Sequence, residues 1–534
     1  MIQGTASYVG KSVLTAALCS YFRQQGLSVA PFKSQTMSNN SHVTKSGGEI
    51  GRAQAFQAEA CGIDPTIEMN PILLKPCSET GSQVVVLGKP VGTMTAREYH
   101  RYQPQLIPTI QSAFESLASQ YDVIVLEGAG SPAEVNLHKF DIVNMAMAKI
   151  AQAPVILVGD IHAGGVFASL VGTLELLPAD ERKLVKALII NKFRGDPSLL
   201  DEGLSFLEKK TSKTVLGVLP FVPNLEIDEE DGVSTKHSSA SSQQDLRALN
   251  ADEKLNIVAI QFPRISNSTD FVALAGEPDV KFRYITRPPA ENEPLPDAVI
   301  LPGTKSTIAD LQFLRTTGLA TYLQNLHTKK VSIIGICGGF QMLGTTILDP
   351  EAAESPIPES KGLAFLPVVT RFAPTKKTVQ IRALSIATGT EVTGYEIHMG
   401  QTTAAVPTQS AVDPTGSDQP GSPLNLDLRP AFQITEEGGA AANRFDGCIS
   451  VDGKTWGTYI HGLFDSPNFL RHFLNDLRHE HAWPALPDQP RTPRQLVFHS
   501  LANLIRSNLD CTKLTTMLHS GVGASFPRDR SNHS

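Results

Sequence analysis

Ser332-Ile333-Ile334-Gly335-Ile336-Cys337-Gly338-Gly339-Phe340-Gln341-Met342-Leu343-Gly344 is a β-branched apolar run that stops at a cysteine and two glycines. The run reads as a buried strand, and Phe340, Met342 and Leu343 open a helix. Strand, cysteine, Gly-Gly, helix is the pattern of a nucleophile elbow, a tight turn that lifts one reactive side chain above a sheet. Glycines suit such a turn because the backbone is strained and must approach a substrate closely. The alternative is a buried structural cysteine beside a glycine turn.

At 534 residues the chain exceeds one core, and domain-size priors imply about three or four units. With 41% hydrophobic and 19% charged residues, the composition is that of a globular protein. A net charge of -7 argues against a nucleic-acid partner, while leaving room for a local basic pocket. No apolar run approaches the ~20 residues of a membrane span, and no basic-then-apolar leader opens the chain. The six cysteines (Cys19, Cys61, Cys77, Cys337, Cys448, Cys511) show no paired spacing for disulfides or zinc. A reducing, cytoplasmic location is therefore expected. Only Cys337 has a reactive setting.

The first half alternates strands and helices. Val29–Lys33, Asp122–Glu127, Pro154–Gly159 and Ala187–Asn191 are short, continuously apolar strands suited to a parallel sheet buried on both faces, and Val215–Leu219 closes the set. The acidic, then Ser- and Gln-rich stretch 224–254 reads as a linker between a first domain, 1–223, and a second, 255–518. Leu255–Ile260, Ala298–Leu301 and the strand before Cys337 make the second domain α/β as well. Within it, the Pro-, Gly- and Ser-rich segment 402–443 reads as a loop insertion, and 519–534 as a disordered tail.

Gly4-Thr5-Ala6-Ser7-Tyr8-Val9-Gly10-Lys11-Ser12 leads straight into an amphipathic helix. It resembles a P-loop, in which backbone N–H groups wrap phosphates at a helix N-terminus. Gly4, Thr5, Gly10, Lys11 and Ser12 would then bind ATP, with Lys11 on the β/γ-phosphates and the Ser12 hydroxyl on Mg²⁺. Only Met1-Ile2-Gln3 precede the loop, so its strand is short or the start of the chain is clipped. Glu127 and Asp160 end apolar strands where further Mg²⁺ ligands belong; the alternative for each is capping the next helix.

In the second half, Cys337 needs a base and an oxyanion site. His461, in Thr455-Trp456-Gly457-Thr458-Tyr459-Ile460-His461-Gly462, follows a strand and could take the thiol proton. Gly303, after the strand Ala298–Leu301, could with Gly338 supply backbone N–H groups to an oxyanion.

The phosphate loop is one residue longer than the standard pattern, a spacing it shares with the dethiobiotin-synthetase-like ATPases. The order Gly303, Cys337, His461 resembles the class I, triad-type glutamine amidotransferases. That family usually carries Glu two residues beyond the histidine, where this chain has Leu463; Glu396 is the candidate for orienting His461, or with His398 for shaping the site. Such an ATPase joined to an amidotransferase with His461-Gly462-Leu463-Phe464 resembles the corrinoid amidases. Pro31–Asn40, Gly51–Gln54 and Met69–Pro76 are similar to the cobyric acid synthase family over essentially the whole chain, with Thr36 where the family usually has Asn.

The resemblance implies a P-loop parallel-sheet domain followed by a class I amidotransferase-like α/β domain. It implies glutamine- and ATP-dependent amidation of carboxylates b, d, e and g of adenosylcobyrinic acid a,c-diamide, with Mg²⁺. It also implies that Asn191 holds the adenine and that Lys33, Arg52 and Lys75 meet the polycarboxylate corrinoid. Cobyrinic acid a,c-diamide synthase, with the same domains, is the nearest alternative. A partition-type regulatory ATPase fits less well, since no lysine lies between Gly4 and Gly10 and Cys337 would have no role.

Overall fold

The computed structural model describes residues 1–222, 253–405, 428–488 and 493–520. The expected linker falls almost wholly outside these residues, as does all but the start of the expected tail.

The apolar runs of the first half form a parallel sheet. Ile2–Gly4, Val155–Asp160, Val185–Phe193 and Thr214–Pro220 are neighbours in that order. Val29–Phe32 pairs in parallel with Val123–Leu126, and a bridge from Ile2 to Glu127 joins this pair to the rest. Helices cover both faces, which is why these strands are apolar throughout rather than alternating. Gln35–Met37 and Ile72–Pro76, from two of the segments carrying the family resemblance, form a mixed sheet with Gly81–Val86 and Lys89–Thr95.

The second half is organised around five parallel strands in the order Val280–Ile285, Leu255–Ile260, Ala298–Leu301, Ser332–Ile336, Thr455–Thr458. An antiparallel extension of long strands, Val368–Ser385, Glu391–Ala404, Leu428–Glu437 and Ala440–Ser450, continues the sheet. The expected loop insertion at 402–443 therefore needs correction. Its middle lies outside the described residues, but Leu428–Glu437 is a strand whose Phe432 and Ile434 enter the core in alternation.

A second correction concerns the end of the chain. Helices Arg494–Asn508 and Cys511–Ser520 do not belong to the second half. Phe498, Leu501, Ala502 and Ile505 form one helix face and pack into the core around Leu14, Ala17, Leu18 and Phe22 of the helix Lys11–Gln24. Ser20 donates to the Phe498 carbonyl at 2.8 Å, and Asp510 N–H to that of Leu216 at 2.8 Å. The chain thus closes back on the half in which it begins.

Candidate functional site

Adjacent parallel strands bring the cysteine site together. Ser332–Ile336 lies between Ala298–Leu301 and Thr455–Thr458, and the chain leaves the C-terminal ends of these strands toward Cys337, Gly303 and His461. Sites gather at this edge of open α/β sheets. Cys337 has φ 51° and ψ -108°, a strained conformation for a residue with a Cβ, held by the short helix Gly338–Leu343 behind it. That helix presses so tightly on the next strand that a Cβ on Gly339 would lie 1.8 Å from the Leu301 carbonyl oxygen. The elbow expected from sequence is therefore present.

Gly303 and Gly338 face the same space. A Cβ on Gly303 would meet His461 Cε1 at 2.9 Å, and one on Gly338 would meet the Thr304 backbone nitrogen at 3.1 Å. His461 is 1% exposed, and its Nδ1 lies 2.7 Å from Oδ2 of Asp270, leaving Nε2 for the thiol. The other Asp270 oxygen accepts from Gly462 N–H at 3.0 Å, so the carboxylate is fixed at both ends. Burial favours a neutral ring, but the Asp270 carboxylate, its hydrogen bond and the Cys337 thiol outweigh it and push His461 up to about 10.

Asp270 thus takes the place that Leu463 leaves open. Sequence reasoning missed it; the only signal was a carboxylate in the turn Ser266–Phe271 soon after the strand Leu255–Ile260. Glu396 is not the orienting group. Its carboxylate is paired with Arg444 at 2.6 Å and Lys377 at 2.9 Å. His398 stacks on Tyr459 with 3.9 Å between ring centres, and burial lowers it to about 4, so it stays neutral.

The phosphate-loop site gathers at the matching edge of the other sheet. Gly10, Lys11, Ser12, Lys33 and Lys192 line a cavity of about 430 Å³ together with the segment Ala129–Asn144. Gly10 has φ 97°, and a Cβ there would lie 2.3 Å from the Asn191 amide, so the turn is closed to other residues. Lys11 Nζ donates to the carbonyls of Ala6 at 3.0 Å and Gly130 at 3.2 Å, which holds the ammonium inside the loop. Glu127 accepts from Ser12 Oγ at 2.8 Å, Gln57 at 2.5 Å and Lys33 at 3.1 Å. Burial favours its acid form, but Lys33, Gln57 and Ser12 outweigh that and hold the carboxyl below its ordinary range.

Other expected residues stand elsewhere. Asp160 pairs with Lys192 at 3.0 Å and accepts from His162 N–H, and it makes no hydrogen bond to Ser12, whereas Glu127, itself buried behind the cavity wall, is joined to the lining residues Ser12 and Lys33. The Asn191 amide donates to the Val9 carbonyl at 2.8 Å, bracing the phosphate loop from outside. Lys75 is buried on Glu49, which also binds Lys376 of the second half; burial draws the Lys75 ammonium down to about 8 against the pull of Glu49. Arg52 lies between His42, at 3.3 Å, and Asp465, at 3.9 Å. Of the three cations expected to meet the substrate, only Lys33 lines the cavity. The other two were singled out by family motif and charge; Arg52 instead reaches Asp465 of the second half, and Lys75 shares Glu49 with Lys376 of the second half.

Among the described residues no cluster of three or more His, Cys, Asp or Glu could hold a metal, and no helix is long and apolar enough to cross a membrane. Comparison with known proteins agrees with the two-part architecture. The CobQ/CobB/MinD/ParA nucleotide binding domain matches residues 1–234, and the CobB/CobQ-like glutamine amidotransferase domain matches residues 256–469. A cobyric acid synthase of Streptococcus sanguinis (strain SK36) is 44% identical, covering 97% of this chain and 98% of its own. One from Photorhabdus laumondii is 45% identical with 99% of both chains covered, and one from Salmonella enteritidis PT4 is 46% identical with 97% and 98% covered.

Proposed function

The chain belongs to the cobyric acid synthase family, and from that premise we propose that it amidates carboxylates b, d, e and g of adenosylcobyrinic acid a,c-diamide, giving adenosylcobyric acid. Each amidation consumes one glutamine and one ATP. The observation that carries the reading is the pairing, within one chain, of a Cys337–His461–Asp270 relay with a phosphate-loop cavity.

Glutamine enters the cysteine site. The imidazolium of His461, held up by Asp270, pairs with the Cys337 thiolate, which attacks the side-chain amide carbon. The oxyanion forms between Gly338 and the Gly303–Thr304 turn. His461 gives its proton to the leaving ammonia, and water then releases glutamate from the thioester.

A carboxylate is a poor electrophile and must be activated before ammonia can attack it. In the cavity, Lys11 stabilises the charge on the transferring γ-phosphoryl group while a corrinoid carboxylate attacks its phosphorus, the bond to the β–γ bridging oxygen breaks and ADP leaves. Ammonia then adds to the acyl phosphate carbon and phosphate leaves. Ser12 and Glu127 would hold Mg²⁺, which when bound supplies charge neutralisation on the phosphate oxygens. Their hard oxygen donors lie 2.8 Å apart, with Ser12 on the cavity lining and Glu127 directly behind it, and their chemistry fits that ion. Lys33, beside Glu127, is the cation that meets the acceptor carboxylate.

Mass spectrometry of products from the a,c-diamide, glutamine and MgATP tests the assignment. Four successive amidations are expected. Turnover of cobyrinic acid with no turnover of its a,c-diamide would reassign the chain to the first pair of carboxylates.

A further inference from the structure

Asp270 lies in the short 3-10 helix Ser268–Phe271, which has no cap from its own chain neighbours. Asn267, before it, has φ 53° and makes no side-chain hydrogen bond to the helix. Its Oδ1 instead accepts from Ser41 N–H of the first half at 3.0 Å. The N–H of Ser268 is taken by Oδ1 of Asn40, also of the first half, at 3.0 Å, with the Ser268 hydroxyl 3.3 Å from the same oxygen. Asn267 N–H reaches the Asn39 carbonyl at 3.4 Å, and Asp270 N–H donates to the Asn267 carbonyl at 2.9 Å. Asn40, Ser41, Asn267 and Asp270 are all buried.

A second contact reaches the same histidine. Tyr395 stacks on His461 with 5.4 Å between ring centres, and its hydroxyl donates to the Ser41 carbonyl at 3.2 Å. The segment making these contacts begins at the other site, because Gln35 and Met37 line the phosphate-loop cavity.

We propose that Asn40 is a positioning residue for the cysteine site: it caps, from the nucleotide-binding half, the turn that aims Asp270 at His461. A helix start must find partners for its N–H groups, and a side-chain oxygen from Asn is among the best. Without it the N–H and hydroxyl of the half-buried Ser268 lose their acceptor, and the turn rotates to find another. Asp270 moves with the turn, and His461 loses the partner that keeps it charged. This rests on the reading of Cys337, His461 and Asp270 as the glutamine-hydrolysing relay.

The test uses the full chain and measures glutamate release from glutamine against pH, beside amidation driven by ammonium chloride. Asn40→Ala is expected to lower kcat for glutamate release on the order of tenfold, with KM for glutamine within about twofold. The alkaline limb of its pH profile moves to lower pH, because a less well paired His461 gives up its proton sooner. Asn40→Asp, which keeps the accepting oxygen, restores kcat to within about threefold, and ammonium-driven amidation holds at wild-type level in both variants. A wild-type kcat and alkaline limb in Asn40→Ala overturns the proposal. So does an Asn40→Asp variant as impaired as Asn40→Ala, or a parallel fall in ammonium-driven amidation, which marks general loosening. Failure of the underlying reading shows separately, as glutamate release that survives Cys337→Ala.

Discussion

The phosphate loop and the cysteine elbow occupy equivalent places in two different sheets. Each follows a parallel strand with neighbours on both sides and leads directly into a helix. The loop spreads its turn from Thr5 to Gly10 and leaves Ala6, Ser7 and Tyr8 exposed, whereas the elbow turns at Cys337 alone and is buried. The difference follows from what each must hold. A polyphosphate needs many N–H groups around it and an approach from solvent. A nucleophile needs one atom in one place, with a charged partner kept from water. The elbow puts its one positive-φ side chain on the reactive residue itself, Cys337, while the long loop puts its own on the exposed Tyr8 and is braced from outside by Asn191.

Breaking the two turns separately gives the largest effects. Cys337→Ala should reduce glutamine-driven amidation to background and preserve activity with ammonium salts. Lys11→Ala should lower amidation from either nitrogen source by at least about 10³-fold, since the group that stabilises the phosphoryl transfer is lost. Equal losses in both assays for Cys337→Ala would mean the two sites are not separable.

Asp270→Asn sharpens the contrast within the cysteine half. Glutamine-driven kcat should fall by up to about 10⁴-fold, as when a triad carboxylate becomes an amide. The sign of the pH effect is set by His461. Its pKa is raised to about 10 in the folded chain, so imidazolium stabilisation is complete below the ordinary value of 6.5 and lost as pH rises through about 10. In Asp270→Asn the alkaline limb of glutamate release should therefore move from near 10 toward 6.5. An unmoved limb would assign the histidine's charge to another group.

That carboxylate was also the least legible part of the site. Cys337, Gly303 and His461 could be read because each follows a recognisable apolar strand, and strand neighbours in a parallel sheet share an edge. Asp270 lies in the polar turn Ser266–Phe271, where no periodicity marks a side chain as inward, and its partner is distant in sequence. The strand Leu428–Glu437 was hidden by Pro430 and by the polar composition around it, although Phe432 and Ile434 alternate correctly. The apolar face of Arg494–Asn508 shows in the spacing of Phe498, Leu501, Ala502 and Ile505; nothing in that spacing says which half covers it.

Two smaller effects test the residues that the structure moved. Asn191→Ala removes the brace on the Val9 carbonyl, and the KM for ATP should rise about tenfold with glutamate release unchanged. A role in holding adenine would instead make the loss depend on the base, visible by comparing ATP with GTP. Lys75→Met should leave the KM for the corrinoid within about twofold and lower stability toward urea by about 3 kcal/mol, because Glu49 loses one of its buried partners. A large rise in corrinoid KM without loss of stability would return Lys75 to the substrate.

The central claim is that nitrogen freed at Cys337 ends on a carboxylate activated at the Lys11 loop. It is tested most directly by incubating the a,c-diamide and MgATP with amide-¹⁵N glutamine in the presence of unlabelled ammonium chloride, then weighing the product. Wild-type product should carry ¹⁵N, and product from Cys337→Ala should form with unlabelled nitrogen alone. Labelled product from Cys337→Ala, or unlabelled product from the wild type, would contradict it.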